Sequence, residues 1–425
     1  MKPSSRHPLL SLDTLLVHGG YRPHDHARSR MVPIYQTAAF CYDSVDHAAR
    51  LFALEEPGFI YSRIGNPTVE FAERRLAVVE KGVAAVAFAS GMAAATALVL
   101  NCLRPGDEIL AANCLYGGTI GLFGDTLPTL GIRTRFFDPL DASSLAAVDS
   151  PAVRLIFVEN LANPRLAVPD YEMVTRFCRQ RRLPLVVDNT IATPYLTTPA
   201  DYGADLVLHS CTKYLEGHGA IIGGMIIDRG SFEWDRDRYP LLFEAAPNGK
   251  PYVEAYGQLG FTHRLRGKVL MNTGGCMAPM NAYLLVHGME SLHVRMARHC
   301  ENARRIAQAL SSDPRVAYVV HPSLPNHPSH ATASRYLRDF GAMLGFGLRG
   351  GFEACKRFID RVELLTHGTN IGDTKTLVIH SASTTHRNVP LEQRIAAGIG
   401  DDFIRVSVGL EAASDLLAAI DSAVG

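Results

Sequence analysis

From about Val83 to Asp228, apolar runs of strand length alternate with amphipathic stretches of helix length. The runs are VAAVAFA (83–89), EILAAN (108–113), RTRFFD (133–138), VRLIFVE (153–159), LPLVVD (183–188), DLVLH (205–209) and AIIGGMIID (220–228). Strands separated by helices pair in parallel, because a parallel neighbour is reached only through a crossover. The alternation therefore predicts an α/β fold built on a mostly parallel, seven-stranded sheet, and near-continuous apolar strands of this kind are buried on both faces. Residues 1–65 lack the alternation and are rich in turn formers, as in RPHDHARSR, so they are expected to form an extended N-terminal arm. Residues 66–270 make the large domain, and 271–425 a smaller C-terminal α+β domain, where AYLLVHGMESLHVRMARHCENARRIAQAL precedes the short strands AMLGFGLRG and TLVIHSA.

Composition narrows the partners. Lys+Arg 42 balances Asp+Glu 42, so nothing favours nucleic acid or an acidic membrane surface, and a small molecule is the expected partner. No run reaches the ~18 apolar residues of a membrane span. The start of the chain has no signal-peptide pattern. Eight cysteines without a CxxC pair suit reduced thiols. A cytoplasmic protein is expected.

In an open α/β sheet, ligands bind beyond the carboxyl ends of the strands. That edge carries Ser90 and Gly91, Tyr116, Glu159 with Asn163, Asp188 with Thr190, and Ser210, Thr212 and Lys213. One such residue would mean little, since Ser and Asp also cap helices; together they define a site. Lys213 lies in HSCTKYLEGHG, where the glycines follow the lysine. A P-loop has the reverse order, and Gly217, Gly219 and Gly223 do not match a dinucleotide fingerprint.

The set does suit one cofactor. SGMAA opens a helix whose backbone N–H groups can hold a phosphate, with the Ser210 and Thr212 hydroxyls adding donors. Asp188 ends a buried strand, where a carboxylate needs a cation, and a protonated pyridine nitrogen is one. Tyr116 offers a flat face to an aromatic ring, and Asn163 a neutral donor to a phenolic oxygen. Lys213 is then a Schiff-base lysine, its amine pKa lowered by burial. Simpler readings stand beside several of these residues. Tyr116 can be core, Arg405 a surface charge, and Cys211 a packed thiol rather than a nucleophile. His321, His327 and His330 in HPSLPNHPSH look like a metal cluster but lack helical ligand spacing, so no metal is expected.

The stretches DNTIATPYLTTPADYGADLVLHSCTKYLEGHG, YSRIGNPT, SGMAA, LYGGT, HSASTTH and RVSVGLE resemble, from end to end, the pyridoxal-phosphate (PLP) enzymes of cysteine and methionine metabolism, of fold type I. Within that family LFALEEPGFIYSRIGNPT, LYGGTIGLFGDTLPTLGI, MESLHVRMARHCENA, LPNHPSH and LVIHSASTTH look most like the O-acetylhomoserine sulfhydrylases. The resemblance implies that Lys213 joins the cofactor, that Asp188 keeps the pyridine nitrogen protonated, and that Gly91, Met92, Ser210 and Thr212 hold phosphate. Ser90, Glu159, Asn163 and Thr190 would complete the cofactor site. Tyr61 and Arg63 would reach the phosphate of a neighbouring subunit, giving a homo-oligomer, a tetramer built from dimers that share active sites. Arg405 would clamp the substrate carboxylate. Asn370 stands where many relatives have serine, and Ser381 where they have proline.

The implied reaction is γ-replacement on O-acetyl-L-homoserine by sulfide or a small thiol, giving homocysteine or methionine and acetate. Alternatives are γ-elimination on methionine or cystathionine, γ-replacement by another nucleophile, or PLP binding without turnover. Two local features bear on the choice. Methionine γ-lyases resemble one another in a cysteine two residues after the active-site tyrosine, whereas Gly118 stands there, read as a turn glycine with positive φ. Arg229–Gly257 resembles an insertion of the sulfhydrylases, expected to help shape the entrance and limit water.

Overall fold

The computed structural model describes residues 10–385, 387, 391–396 and 398–425. Residues 1–9 of the expected arm and His386 of HSASTTH lie outside the described residues. The large sheet contains β1 (Ala84–Phe88), β2 (Glu108–Ala112), β3 (Arg133–Phe137), β4 (Val153–Glu159), β5 (Leu185–Asp188), β6 (Leu206–Ser210) and β7 (Gly224–Asp228). Their order is β1-β7-β6-β5-β4-β2-β3, and β7 runs antiparallel to both neighbours while the other pairings are parallel. β7 is reversed for a local reason: the link from β6 contains the Lys213 turn and no crossover helix, so the chain returns alongside β6.

β4, β5 and β6 are buried almost throughout, as apolar runs in a parallel sheet should be. β3 departs from that expectation. It is the sheet edge, with Arg133 and Arg135 turned to solvent and Arg135 paired to Glu108 at 2.7 Å. Charged side chains on an edge strand discourage pairing with another chain.

Two helix starts set up the site. Helix Pro67–Val79 begins with Asn66 capping the Thr68 N–H at 3.0 Å and proline at its first position. Helix Gly91–Cys102 begins directly after β1 and lies close on β7, where a Cβ on Gly224 would overlap the Ser90 carbonyl. Among the described residues before 66, the chain forms two short α-helices and a 3-10 turn, Pro23–His26. Leu12–His18 buries Leu16 in the main core, and Val45–Phe52 leaves Val45 86% and Phe52 60% exposed.

The second sheet has β8 (Val316–Val320), β9 (Met343–Leu348), β10 (Thr366–His367), β11 (Leu377–His380) and β12 (Phe403–Ser407), in the order β10-β11-β12-β9-β8. Phe346, Phe358, Val406 and Leu416 fill a core of their own. Helix Leu292–Ser311 joins the two bodies, contributing Leu292 and Met296 to the large core and Ile306 and Leu310 to the small one. No helix among the described residues is long and apolar enough to cross a membrane.

The insertion Arg229–Gly257 does not sit where the sequence suggested. Tyr239 donates its hydroxyl to the Arg154 carbonyl at 2.8 Å, and Arg238 reaches the carbonyls of Arg181 and Arg182 at 2.8 and 2.9 Å. Trp234 stacks on Phe261 with ring centroids 5.3 Å apart. Arg154 begins β4, and Arg181 and Arg182 precede β5, so these contacts lie at the amino ends of the strands. The insertion cannot shape its own chain's site at the carboxyl ends. Its aromatic residues select an apolar surface to cover, and sequence does not say at which end of the sheet that surface lies.

The core makes a direct prediction. Phe157 and Phe123 meet edge to face at 5.1 Å, and both rings are wholly buried. Phe157→Ala should cost about 3–5 kcal/mol in equilibrium unfolding by denaturant. A loss below about 1 kcal/mol would show that this ring pair does not hold the sheet to its covering layer.

Candidate active site

The β4–β5 register places Glu159 directly beside Asp188 at the carboxyl edge. Asp188 accepts from the N–H and hydroxyl of Thr190 at 2.9 and 2.5 Å. Glu159 accepts from the N–H groups of Tyr116 at 2.5 Å and Asn163 at 3.4 Å. These partners are neutral, so two adjacent carboxylates, Glu159 buried and Asp188 partly buried, have no cation bonded to them. Burial pushes both pKa values up, and the charge of Asp188 raises Glu159 further. A cation at this edge would relieve the cost, and the protonated nitrogen of a pyridine ring meets that need.

The Thr190 hydroxyl also accepts the Ser210 N–H at 2.8 Å, tying the end of β5 to the end of β6. Ser210 in turn lies against the start of helix Gly91–Cys102: a Cβ on Gly91 would stand 2.8 Å from the Ser210 Cβ and 3.2 Å from its hydroxyl. Glycine is required for this approach. The Ser90 hydroxyl caps the Ala93 N–H at 3.0 Å, leaving the Gly91 and Met92 amides at the helix start, where backbone donors have no helical acceptor. They and the Ser210 hydroxyl are donors that could hold an anion. The hydroxyls of two residues expected at the cofactor site have partners within the chain. That of Ser90 is the helix cap, and that of Thr212 accepts the Gly223 N–H at 3.0 Å and faces the Gly223 carbonyl at 3.3 Å.

Lys213 follows β6 and points its amine at a residue of the C-terminal body, Nζ donating to Asn370 Oδ1 at 2.7 Å. Burial, with the charge of Arg405 adding to it, lowers the amine pKa to about 8. Arg405 lies on β12 and is only 6% exposed. It donates to the carbonyls of Thr369 and Asn370 at 2.8 and 3.3 Å, while its buried Nε has no partner. A buried guanidinium with an unfilled donor beside a lysine amine could receive a carboxylate. Asn163 likewise retains an unpaired buried amide oxygen.

Tyr116 is 51% exposed, so it is no core residue. A Cβ on Gly118 would lie 2.5 Å from Cε1 of the Tyr116 ring. Gly118 sits inside helix Gly117–Gly121 and is not among the positive-φ glycines, so its smallness serves the tyrosine ring rather than a turn. Tyr61, 41% exposed, and Arg63 stand on a loop pinned by Asn66, which donates to the Tyr35 carbonyl at 2.8 Å and the Ser62 hydroxyl at 2.9 Å. Arg63 donates to the Met271 carbonyl and stacks over Tyr61. Among the described residues neither side chain hydrogen-bonds Lys213, Asp188 or Ser210 of the same chain.

Cys211 is fully buried, and burial drives its thiol pKa upward. His321, His327 and His330 bond locally, to the Ser323 hydroxyl at 2.7 Å and to the carbonyls of Arg165 at 3.1 Å and Pro322 at 2.8 Å. The sequence reading missed a polar layer behind β5 and β6. His209 meets Glu80 at 2.6 Å, and Asn189 donates to the same carboxylate oxygen at 2.8 Å. Asn160 donates to Asn189 at 2.8 Å and accepts from Tyr171 at 2.9 Å. The available signal was polar residues, His209 and Asn189, within or next to apolar strands.

A parallel α/β sheet whose carboxyl edge presents a buried lysine amine, an uncompensated carboxylate and a helix-start anion cup has the parts that a PLP-dependent enzyme requires. Residues 13–425 match the family described as Cys/Met metabolism PLP-dependent enzyme, and the chain belongs to it. It is 44% identical over 420 residues to O-acetyl-L-homoserine sulfhydrylase 1 of Thermus thermophilus, covering 98% of this chain and 100% of the relative. It is 37% identical over 412 residues to the L-methionine gamma-lyase of Pseudomonas putida, covering 97% and 96%. Its fold is similar, at a TM-score of 0.94 and 36% identity over 98% of this chain and 100% of the other, to an O-acetylhomoserine (thiol)-lyase from Campylobacter jejuni bearing N'-pyridoxyl-lysine-5'-monophosphate.

The Lys213 amine gives a stability test. Its folded pKa of about 8 lies below an ordinary lysine's ~10.4, so the folded state binds the proton more weakly and is penalised wherever the unfolded chain is protonated. The penalty is complete below pH 8 and is lifted as pH rises from about 8 to 10.4. Cofactor-free Lys213→Met should therefore exceed cofactor-free wild type at pH 7 by on the order of 3 kcal/mol, with the gap narrowing by pH 9.5 in denaturant titrations. A gap independent of pH would mean that the amine titrates normally.

Proposed function

We propose that the protein catalyses γ-replacement on O-acetyl-L-homoserine with sulfide or a small thiol, giving homocysteine or methionine and acetate. The observation that carries the reading is the convergence of Arg405, Asn370 and Lys213, a carboxylate receptor beside a lysine whose pKa of about 8 lets it carry protons near neutrality. When bound, PLP supplies an electron sink that stabilises negative charge at the substrate α-carbon. Arg405 takes the α-carboxylate through donors it does not spend on residues 369 and 370, fixing the α-carbon near Lys213. Lys213 would remove the α-proton and then a proton from the β-carbon, so that the electron pair left at the β-carbon expels the γ-acetoxy group as acetate; sulfur then adds at the γ-carbon, and the protons return to the β- and α-carbons. Asp188, steadied by Thr190, holds the proton on the pyridine nitrogen. Gly91, Met92 and Ser210 would receive the phosphate, Tyr116 would offer its face to the cofactor and assist proton transfer, and Asn163 would meet the phenolic oxygen. Ser90 and Thr212 support that cup from its frame.

The named activity of the Thermus relative supports this reading. γ-Elimination is the second reading, supported by the Pseudomonas relative and by the fact that both outcomes use the same residues. The absence at Gly118 of the cysteine that the lyases carry weighs against it. We also assign Tyr61 and Arg63 to a neighbouring subunit's phosphate, within a homotetramer of dimers that share active sites. The exposed apolar side of helix Val45–Phe52 fits an arm covered by another copy. The eight free cysteines suit a cytoplasmic setting.

O-Acetyl-L-homoserine with sulfide should give homocysteine faster than L-methionine gives 2-oxobutanoate at matched concentrations; faster methionine breakdown would establish the lyase reading instead. The shared site predicts complementation. Arg63→Ala and Lys213→Ala should each be inactive alone and regain part of the activity when subunits exchange, because some sites then draw both intact residues from different chains. Absence of recovery after demonstrated exchange would place Arg63 outside the partner's site.

A further inference from the structure

The lysine turn has a second anchor, outside the anion cup and the carboxylate receptor. Gly217 donates its N–H to the Lys213 carbonyl at 2.8 Å, closing a single helical turn. A turn that ends there leaves the carbonyls of Tyr214 and Leu215 without helical partners. Both residues are fully buried, where an unpaired carbonyl is costly. Arg295, from helix Leu292–Ser311, satisfies the two together: Nη1 donates to Tyr214 O at 2.8 Å and Nη2 to Leu215 O at 3.3 Å. Nη2 also donates to Gly288 O at 2.7 Å, in the last turn of helix Pro279–Glu290, and Nε donates to the Ser291 hydroxyl at 3.1 Å.

One cation thus caps the carboxyl ends of the lysine turn and of helix Pro279–Glu290, which packs in the same large core, and a positive charge is favoured there. Two glycines make the junction possible. A Cβ on Gly217, at φ +81°, would overlap Arg295 Nη1, and a Cβ on Gly288 would overlap the Glu216 carbonyl. Gly217 thereby finds its reason within HSCTKYLEGHG: it admits the guanidinium against the turn.

We propose that Arg295 is a positioning residue for Lys213. By gripping the two carbonyls that follow Lys213, it fixes the direction in which the lysine stem leaves the backbone and holds Nζ at Asn370 and the cofactor. The inference rests on the role given to Lys213 above. Only a planar fork serves three carbonyls and a hydroxyl at once; an ammonium keeps the charge but not the geometry.

The test uses the holoenzyme of Arg295→Lys and of Ser291→Ala, with circular dichroism and oligomer size checked against wild type. Two quantities are read: the pH titration of the visible absorption of cofactor joined to Lys213, and kcat separately from KM. Arg295→Lys should retain cofactor, move the titration midpoint by at least about half a pH unit, and lower kcat roughly 10–100-fold with KM changed only a few-fold. Ser291→Ala should shift the midpoint in the same direction by less. A folded Arg295→Lys with wild-type titration and kcat overturns the proposal, even if its melting temperature falls, since the residue would then be structural only. If Arg295→Lys does not fold, Ser291→Ala decides, and an unmoved titration there overturns it. If wild type fails to turn over O-acetyl-L-homoserine, the proposed reaction falls, while the titration still judges Arg295.

Discussion

The site depends on an electrostatic debt at the carboxyl edge of the large sheet. Asp188 and Glu159 end adjacent parallel strands in register, Glu159 buried and Asp188 partly so, and both are bonded only to neutral donors. Burial raises their proton affinity, and the charge of Asp188 makes Glu159 harder still to ionise. A ligand that brings a cation to Asp188 is favoured over one that does not. The rest of the edge is arranged around that demand: Thr190 fixes Asp188 and reaches Ser210, Ser210 lies against Gly91, and the helix start supplies donors to an anion. A ligand carrying a cationic ring nitrogen at one end and a phosphate at the other satisfies both ends together.

The chemistry at Lys213 has a different origin, because its controlling groups come from the other body. Asn370 and Arg405 belong to the second sheet and its approach loop, while the carbonyls behind the lysine are held by Arg295. Lys213 is therefore placed between two separately built cores. Its lowered pKa follows from that enclosure, since burial disfavours the ammonium and the Arg405 charge adds to the effect. Residues distant in sequence, such as Arg295 and Arg405, thus act on one amine without sharing a motif.

Several residues show how far local reasoning reached. The strand ends that carry Asp188, Ser210 and Glu159 were legible because apolar runs bounded by polar residues mark both a strand and where it stops. Gly118 was legible as a special position but not for the right reason: sequence permits a turn glycine and a glycine under a ring equally, and only the ring's position distinguishes them. Ser90 and Thr212 were legible as hydroxyls at strand ends, whereas the backbone N–H groups that each accepts from, Ala93 and Gly223, are set by the folded turns. The insertion was legible as a segment and not as a location, because its aromatic residues specify what they cover but not where.

By itself the sequence determined the strand and helix periodicity, the order of elements along the chain, and the residue types standing at the ends of the strands. Those follow from local propensity and from burial, which act over a few residues. The tertiary structure alone decided that β7 turns back between β1 and β6, that the insertion covers the amino ends, and that Arg405, Asn370 and Arg295 meet at Lys213. Those outcomes are set by which buried surfaces and unpaired donors find one another across long stretches of chain, and that choice is made only when the two cores pack.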